Sequence, residues 1–230
     1  MVVSMPKLLA TLLLLTLSQA GCNVESTSEE AAAAPEDKSA TLITQAKAIH
    51  ASALTIDAHA DIEIPGKPSM YVGADGLSRV SPAKMHSGGL DAVVMSLAVG
   101  PMPRNPKGYA AAKALAQTKL AAVNALANDP VNNAIIVQTT EELQAAQTEG
   151  KAALILGFQN ALILGTNTTG IDEFYDSGVR VFALTHMGHN NFADSSRTLF
   201  DGDTDTREPE SEHSGLSVLG RSAISKINVL

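Results

Sequence analysis

Apolar positions along the chain alternate between short continuous runs and segments in which they recur every three or four residues. Thr41 to Ser52 places Leu42, Ile43, Ala46 and Ile49 at helical spacing. It leads into Leu54-Thr55-Ile56-Asp57-Ala58-His59-Ala60-Asp61, a strand-like run that ends on polar groups. Pro65 to Pro82 is rich in Gly, Pro and Ser and reads as a loop. After Gly88-Gly89-Leu90-Asp91 comes Ala92 to Val99, apolar on both sides as a strand buried on two faces must be. Tyr109 to Ala127 is alanine-rich and helical, stopped by Asn128-Asp129-Pro130. Asn133 to Val137 reads as a short strand. Thr139 and Glu142 have capping-box spacing and open a helix that ends at Gly150. Ala152 to Phe158 is a further buried strand finishing at Gln159-Asn160, and Ile171 to Ser177 a short helix closed by Gly178. Arg180 to Thr185 forms another strand, ending at His186. A polar loop then runs to about Ser214, and Leu216 to Leu230 reads as helix.

Strand and helix therefore alternate, and polar residues stand at the C-terminal ends of successive strands: His59 and Asp61, then Gln159, then His186. This is the edge of a parallel β/α barrel where active sites are built. Four buried strands make half of an eight-stranded barrel. The fold class expected is α/β, a (β/α)8 TIM-like barrel present to about its first half.

The His59-Ala60-Asp61 step carries the chemistry. Residues two apart on a strand point to one side, so an imidazole and a carboxylate converge, a donor pair that suits zinc or a similar divalent ion. Alone, the pattern is common, and a strand end whose polar residues cap the next loop explains it equally well. Asp57 shares the same side on strict alternation. It serves either as an acceptor for the imidazole N–H or as a carboxylate satisfied by loop amides.

Composition narrows the picture. The 230 residues include no Trp and few aromatics, so the core is aliphatic, which favours layered α/β packing. A net charge of -8 and the lack of a basic patch argue against nucleic acid as a partner. About half of that charge lies in Glu25, Glu29, Glu30, Glu36 and Asp37 against Lys38, within a Ser/Glu/Ala/Pro segment that has little to bury. Residues 23–40 are expected to be a disordered tether, and 41–230 the barrel portion. Before the tether, Lys7 and the apolar run Leu8 to Leu17 read as a signal peptide spanning residues 1–22. The only cysteine, Cys22, follows Ser18-Gln19-Ala20-Gly21 and resembles the lipobox of bacterial lipoproteins, although Gln19 replaces the usual aliphatic residue. The expectation is an exported bacterial protein, periplasmic or held at the outer membrane or cell surface by a lipid on Cys22. Ordinary secretion is the alternative. With one cysteine there is no internal disulfide.

Together these segments resemble the membrane (renal) dipeptidase family of zinc metallopeptidases. The match rests on His59-Ala60-Asp61, the Gly88-Gly89 turn, Leu154 to Asn160, Gly178-Val179-Arg180 leading to Leu184-Thr185-His186, Ala193-Asp194-Ser195, and Gly215-Leu216-Ser217 with Gly220-Arg221, in that order over Leu54 to Leu230. The resemblance implies a barrel with two zinc ions at its C-terminal mouth and a hydroxide that attacks the peptide carbonyl of a dipeptide. It makes His59 and Asp61 ligands of one zinc, and His186 the histidine that polarises the scissile carbonyl. Gln159 occupies the place of a glutamate that bridges the two metals. A carboxamide offers one neutral oxygen, so the site is expected to be weaker or reduced to one metal. A strand end reading Gly-Phe-Gln-Asn is also found within the family, so Gln159 does not by itself imply inactivity. The family's later histidine ligands, substrate arginine and catalytic aspartate have no counterpart here, so these 230 residues alone are expected to bind zinc weakly and hydrolyse nothing measurable. An open half-barrel is expected to aggregate or to pair with another copy as a homodimer.

Two other functions share this scaffold: an exported non-catalytic lipoprotein that binds small peptides or amides, and another amidohydrolase-type metallohydrolase. His189 is a candidate for substrate contact beside His186, with a merely exposed loop histidine as the alternative. Asp194 and Ser195 are expected to fix their loop. His50, His86 and His213 are expected at the surface. Asp201, Asp203, Asp205 and Glu212 have calcium-loop spacing, but Thr206 stands where a glycine is needed, so a solvated acidic loop is expected.

Overall fold

The computed structural model describes residues 38–201 and 205–230. The apolar leader, Cys22, the tether up to residue 37 and Asp203 of the acidic loop lie outside the described residues. Helix α1 spans Lys38–Ser52. The last three residues of the segment expected as tether, Lys38, Ser39 and Ala40, are therefore helical.

Four parallel strands follow one another across the sheet in chain order: β1 (Ile56–Asp61), β2 (Ala92–Ser96), β4 (Ala152–Gln159) and β5 (Val181–Ala183). The short β3 (Ala134–Val137) lies along the N-terminal half of β4, from Ala134 beside Ala152 to Val137 beside Ile155. On that same edge β5 takes over at Gly157, Phe158 and Gln159. Sequential parallel strands joined by helical crossovers are the wall of a β/α barrel, and they bring every strand's C-terminal end to one rim.

The helices are placed by local signals. In α3 (Pro106–Asn128) the N-cap Asn105 side chain accepts from the Gly108 amide at 3.0 Å, with Pro106 in the first turn. In α4 (Thr140–Thr148) Thr139 Oγ1 accepts from the Glu142 amide at 3.2 Å, and the Glu142 carboxylate accepts from the Gln138 amide at 2.7 Å. Between β1 and β2 the structure adds α2 (Pro82–Gly88), a seven-residue helix closed by left-handed Gly89. It is hidden in the sequence because its Pro, Ser and Gly read as loop. Helices α5 (Thr169–Asp176) and α6 (Val218–Ile227) complete the set, and β6 (Phe200–Asp201) pairs with β7 (Thr206–Arg207) in a small hairpin within the polar loop.

One sheet face carries the principal core. Val93, Met95, Leu154, Leu156 and Phe158 pack with Ala112, Ala116 and Val123 of α3, Phe174 of α5 and Ala223 of α6. Phe158 meets Phe174 and Phe182 edge to face at centroid distances of 5.6 and 4.9 Å. Each such pair adds about 1 kcal/mol beyond area burial. A smaller cluster joins Ala92, Val137 and Ala153 to Leu143 and Ala146 of α4.

Candidate active site

The rim formed by the C-terminal strand ends holds a cavity of about 570 Å³ lined by Asp57, His59, Asp61, Gln159 and His186 together with Tyr71, Ser78, Arg79 and Val80. All four residues singled out from strand ends in the sequence thus face one space.

Strand β1 reaches the cavity through a bulge. Asp57 pairs with Val93 but Ala60 with Met95, so two residues of β1, Ala58 and His59, stand against the single Val94 of β2. Strict alternation over Asp57, His59 and Asp61 therefore does not hold: Asp57 stands beside Val93, whereas Asp61 stands beside Ser96, in the row that continues to Gly157. Gln159 lies two residues beyond Gly157, on the same side as Asp61. Of the two roles open to Asp57, the structure has the backbone one. Its Oδ1 accepts from the His59 amide at 3.0 Å, bracing the bulge that presents the imidazole.

The Asp61 carboxylate lies near three side chains, His59, Lys119 and Tyr71. Oδ2 is 3.9 Å from His59 Nε2, and Oδ1 is 3.8 Å from Lys119 Nζ. The Lys119 side chain is 13 % exposed, and burial lowers its pKa while the Asp61 charge opposes the shift. The Asp61 charge and hydrogen bond raise the pKa of the Tyr71 phenol. His186 follows β5, and its Nδ1 is buried with no hydrogen-bond partner among the described residues.

An imidazole nitrogen and a carboxylate oxygen on one wall of a polar cavity fit a borderline divalent ion. Gln159 adds only a neutral oxygen. Among the described residues no third His, Cys, Asp or Glu joins the pair, so they supply two donors of the four in a closed zinc site.

His189 is placed elsewhere. Its side chain is fully buried, with Nε2 2.8 Å from the Pro209 carbonyl oxygen and Nδ1 accepting from the Ser195 amide at 3.0 Å. Both nitrogens are committed to loop backbone, which leaves none for a substrate in the cavity of His59; the ring lines a smaller one of about 220 Å³ beside Arg104 and Glu208. Asp194 anchors the same loop. It accepts from Ser211 Oγ (2.6 Å) and from the amides of Glu212 (2.9 Å), His213 (3.0 Å) and Gly215 (2.9 Å). Burial works to raise its pKa, but the Gly215 amide and these other donors outweigh it and hold the carboxyl well below the usual range. His50 and His86 are exposed, whereas His213 is half-buried with Nε2 2.9 Å from the Asn190 carbonyl oxygen. Glu212 of the acidic loop is clamped by Arg104 at 2.6 and 2.8 Å.

Several residues at the site were not singled out from sequence, among them Tyr71, Arg79 and Lys119. Tyr71 and Arg79 flank a hairpin whose turn, Asp75-Gly76 between Tyr71-Val72 and Leu77-Ser78, carries the usual hairpin dipeptide. Lys119 continues the buried stripe of Ala112, Ala116 and Val123 at spacings of three and four, where a cation stands out.

The family model "Membrane dipeptidase (Peptidase family M19)" matches residues 43–230. No curated protein matches the chain in sequence. Among solved structures, the probable dipeptidase PvdM from Pseudomonas aeruginosa superposes with a TM-score of 0.71 at 24% identity, over 83% of this chain and 48% of that one. A metallopeptidase described as dipeptidase AC gives 0.61 at 17% identity, over 76% and 53%. A metallopeptidase from Rhodobacter sphaeroides, liganded with a phosphinate mimic of the dipeptide L-Ala-D-Ala, gives 0.56 at 15% identity, over 70% and 50%. At these identities the superpositions establish the fold, and the chain spans about half the length of the structures it matches. With the family model covering residues 43–230 and strand ends gathered as such a barrel gathers them, the chain belongs to the membrane dipeptidase family of peptidases.

Proposed function

We propose that the complete protein is a zinc-dependent dipeptidase and that His59 and Asp61 are metal ligands contributed by this half of its barrel. The observation that carries the reading is the approach of His59 Nε2 to Asp61 Oδ2, 3.9 Å apart, in a cavity also lined by Gln159 and His186. A volume of about 570 Å³ suits a small peptide. The dipeptide mimic held by the Rhodobacter sphaeroides metallopeptidase supports the same substrate class.

The chemistry that zinc supplies at such a site is acidification of water and stabilisation of a developing oxyanion. The chain's own residues do the rest. The bulge braced by Asp57 aims the His59 ring, Lys119 holds the far oxygen of Asp61, and His186 lines the cavity as the hydrogen-bond donor to the substrate carbonyl. Gln159 lends a neutral oxygen beside the pair, which fits one tightly held ion better than two.

A binding lipoprotein on the same scaffold is the second reading, favoured by the carboxamide of Gln159. Assaying the full-length protein from its source on a panel of dipeptides, with zinc and after chelation, separates the two. Turnover that chelation removes and zinc restores supports the dipeptidase. Saturable binding without turnover supports the binding protein, and rejection of dipeptides with cleavage of a lactone or cyclic amide points to another amidohydrolase-type activity. Export with a lipid on Cys22 is part of the proposal. Labelled fatty acid should enter the wild-type protein and not the Cys22→Ser variant.

A further inference from the structure

Asp61 borders two spaces. It lines the rim cavity with His59, Gln159 and His186, and it also lines an adjoining cavity of about 180 Å³ with Glu63, Lys67, Tyr71 and Lys119. The carboxylate has a neighbour in each: Oδ2 lies 3.9 Å from His59 Nε2, and Oδ1 lies 3.8 Å from Lys119 Nζ. Lys119 reaches this position from the inward stripe of α3, between the buried Ala116 and Val123. Lys113 of the same helix instead meets Glu173 at the surface. Glu63, two residues beyond Asp61, adds its charge to the attraction on the Lys119 ammonium. The ammonium is thus held in the second cavity, although α3 contributes no lining residue to the rim cavity.

An ammonium and a metal ion compete for the same carboxylate. Asp61 has two oxygens but one negative charge. With Lys119 beside Oδ1, Oδ2 is the oxygen that serves the His59 side, and the charge behind it is already partly neutralised. The other donors add none, since Gln159 is a neutral carboxamide and imidazole binds a metal in its neutral form. Because the Lys119 side chain is largely buried, salt screens its charge weakly.

We propose that Lys119 is a positioning residue that acts on the metal site through Asp61. It claims Oδ1, leaves the carboxylate to bind a metal ion through Oδ2 alone, and so weakens the hold of the β1 pair on that ion. The proposal rests on the dipeptidase reading and deepens it. Lys119 and Gln159 act in the same direction, each reducing the negative charge that this half of the barrel offers a cation.

The test is calorimetric titration of zinc into the metal-free full-length protein, wild type against Lys119→Met, Lys119→Gln and Lys119→Arg, with difference infrared spectra of the carboxylate stretches on zinc addition. Lys119→Met should bind zinc about tenfold or more tightly, the scale on which groups behind a ligand tune a metal site. Lys119→Gln should move the same way, and it covers the case in which the apolar variant does not fold. Lys119→Arg keeps the positive charge and should stay near wild type. The infrared bands should mark one-oxygen binding in wild type and Lys119→Arg, and two-oxygen binding once the charge is removed. An affinity in the uncharged variants equal to or below that of wild type, a gain that Lys119→Arg shares, or infrared bands that do not differ from wild type overturns the role of Lys119 and leaves the dipeptidase reading intact. Wild-type protein that takes up no zinc overturns both.

Discussion

Asn160 Oδ1 accepts a hydrogen bond from Asn190 Nδ2 at 3.0 Å, and both residues are buried. Asn160 follows β4 in a positive-φ conformation (84°) and also donates to the Val99 carbonyl at 3.2 Å. Asn190 donates to the Leu184 carbonyl at 2.7 Å and accepts from the amides of Phe192 and Ala193. One pair of carboxamides thus ties together the chain segments leaving β2, β4 and β5. Asn190→Ala strands several buried groups at once, and urea unfolding should show a loss of about 2–4 kcal/mol. The double variant with Asn160→Ala should lose less than the sum of the singles. Full additivity would contradict the network.

Asp194 makes this loop acid-sensitive. Its carboxyl is held well below the usual range in the folded state, so its contribution is complete above the unfolded value of about 3.9 and declines as pH falls through the folded one. Denaturation midpoints measured from about pH 5 downwards should fall less steeply in Asp194→Asn than in wild type. Parallel curves would show that the carboxylate contributes nothing ionic.

Gly220 fits only without a side chain. A Cβ there would lie 1.9 Å from the Phe192 carbonyl oxygen, a backbone atom that cannot swing aside. Gly220→Ala must push α6 away from the loop and should cost about 2–3 kcal/mol despite a higher helix propensity. A thermal midpoint at or above that of wild type would show the contact to be pliable.

Gln159→Glu converts the neutral oxygen beside His59 and Asp61 into an anionic one that can join two cations. Zinc affinity should rise by about tenfold, and the metal content per chain should rise with it. An unchanged isotherm would place residue 159 outside the coordination sphere.

Much of this was legible in the sequence because it is periodic or abrupt. Buried runs such as Val93 to Leu97 and Leu154 to Phe158 announced the strands, and polar residues interrupting such runs at His59, Gln159 and His186 announced the rim. The bulge in β1 was not legible, since an extra residue leaves the apolar pattern of so short a strand unchanged. Nor was the burial of His189, which depends on the Pro209 carbonyl and the Ser195 amide folding back over it. The place of Arg79 at the cavity was not legible, since a cation in a loop rich in Gly, Pro and Ser reads as surface, and the residue is in fact exposed. Only the hairpin register sets it beside Tyr71 and over the cavity.

The most direct test of the account is calorimetric titration of zinc into the metal-free full-length protein, wild type against His59→Ala. Two protein ligands on β1 predict that the variant loses at least about tenfold in affinity while keeping its thermal unfolding midpoint in the absence of metal. Superimposable isotherms for the two proteins would contradict a metal site at His59 and Asp61, and the dipeptidase mechanism built on it.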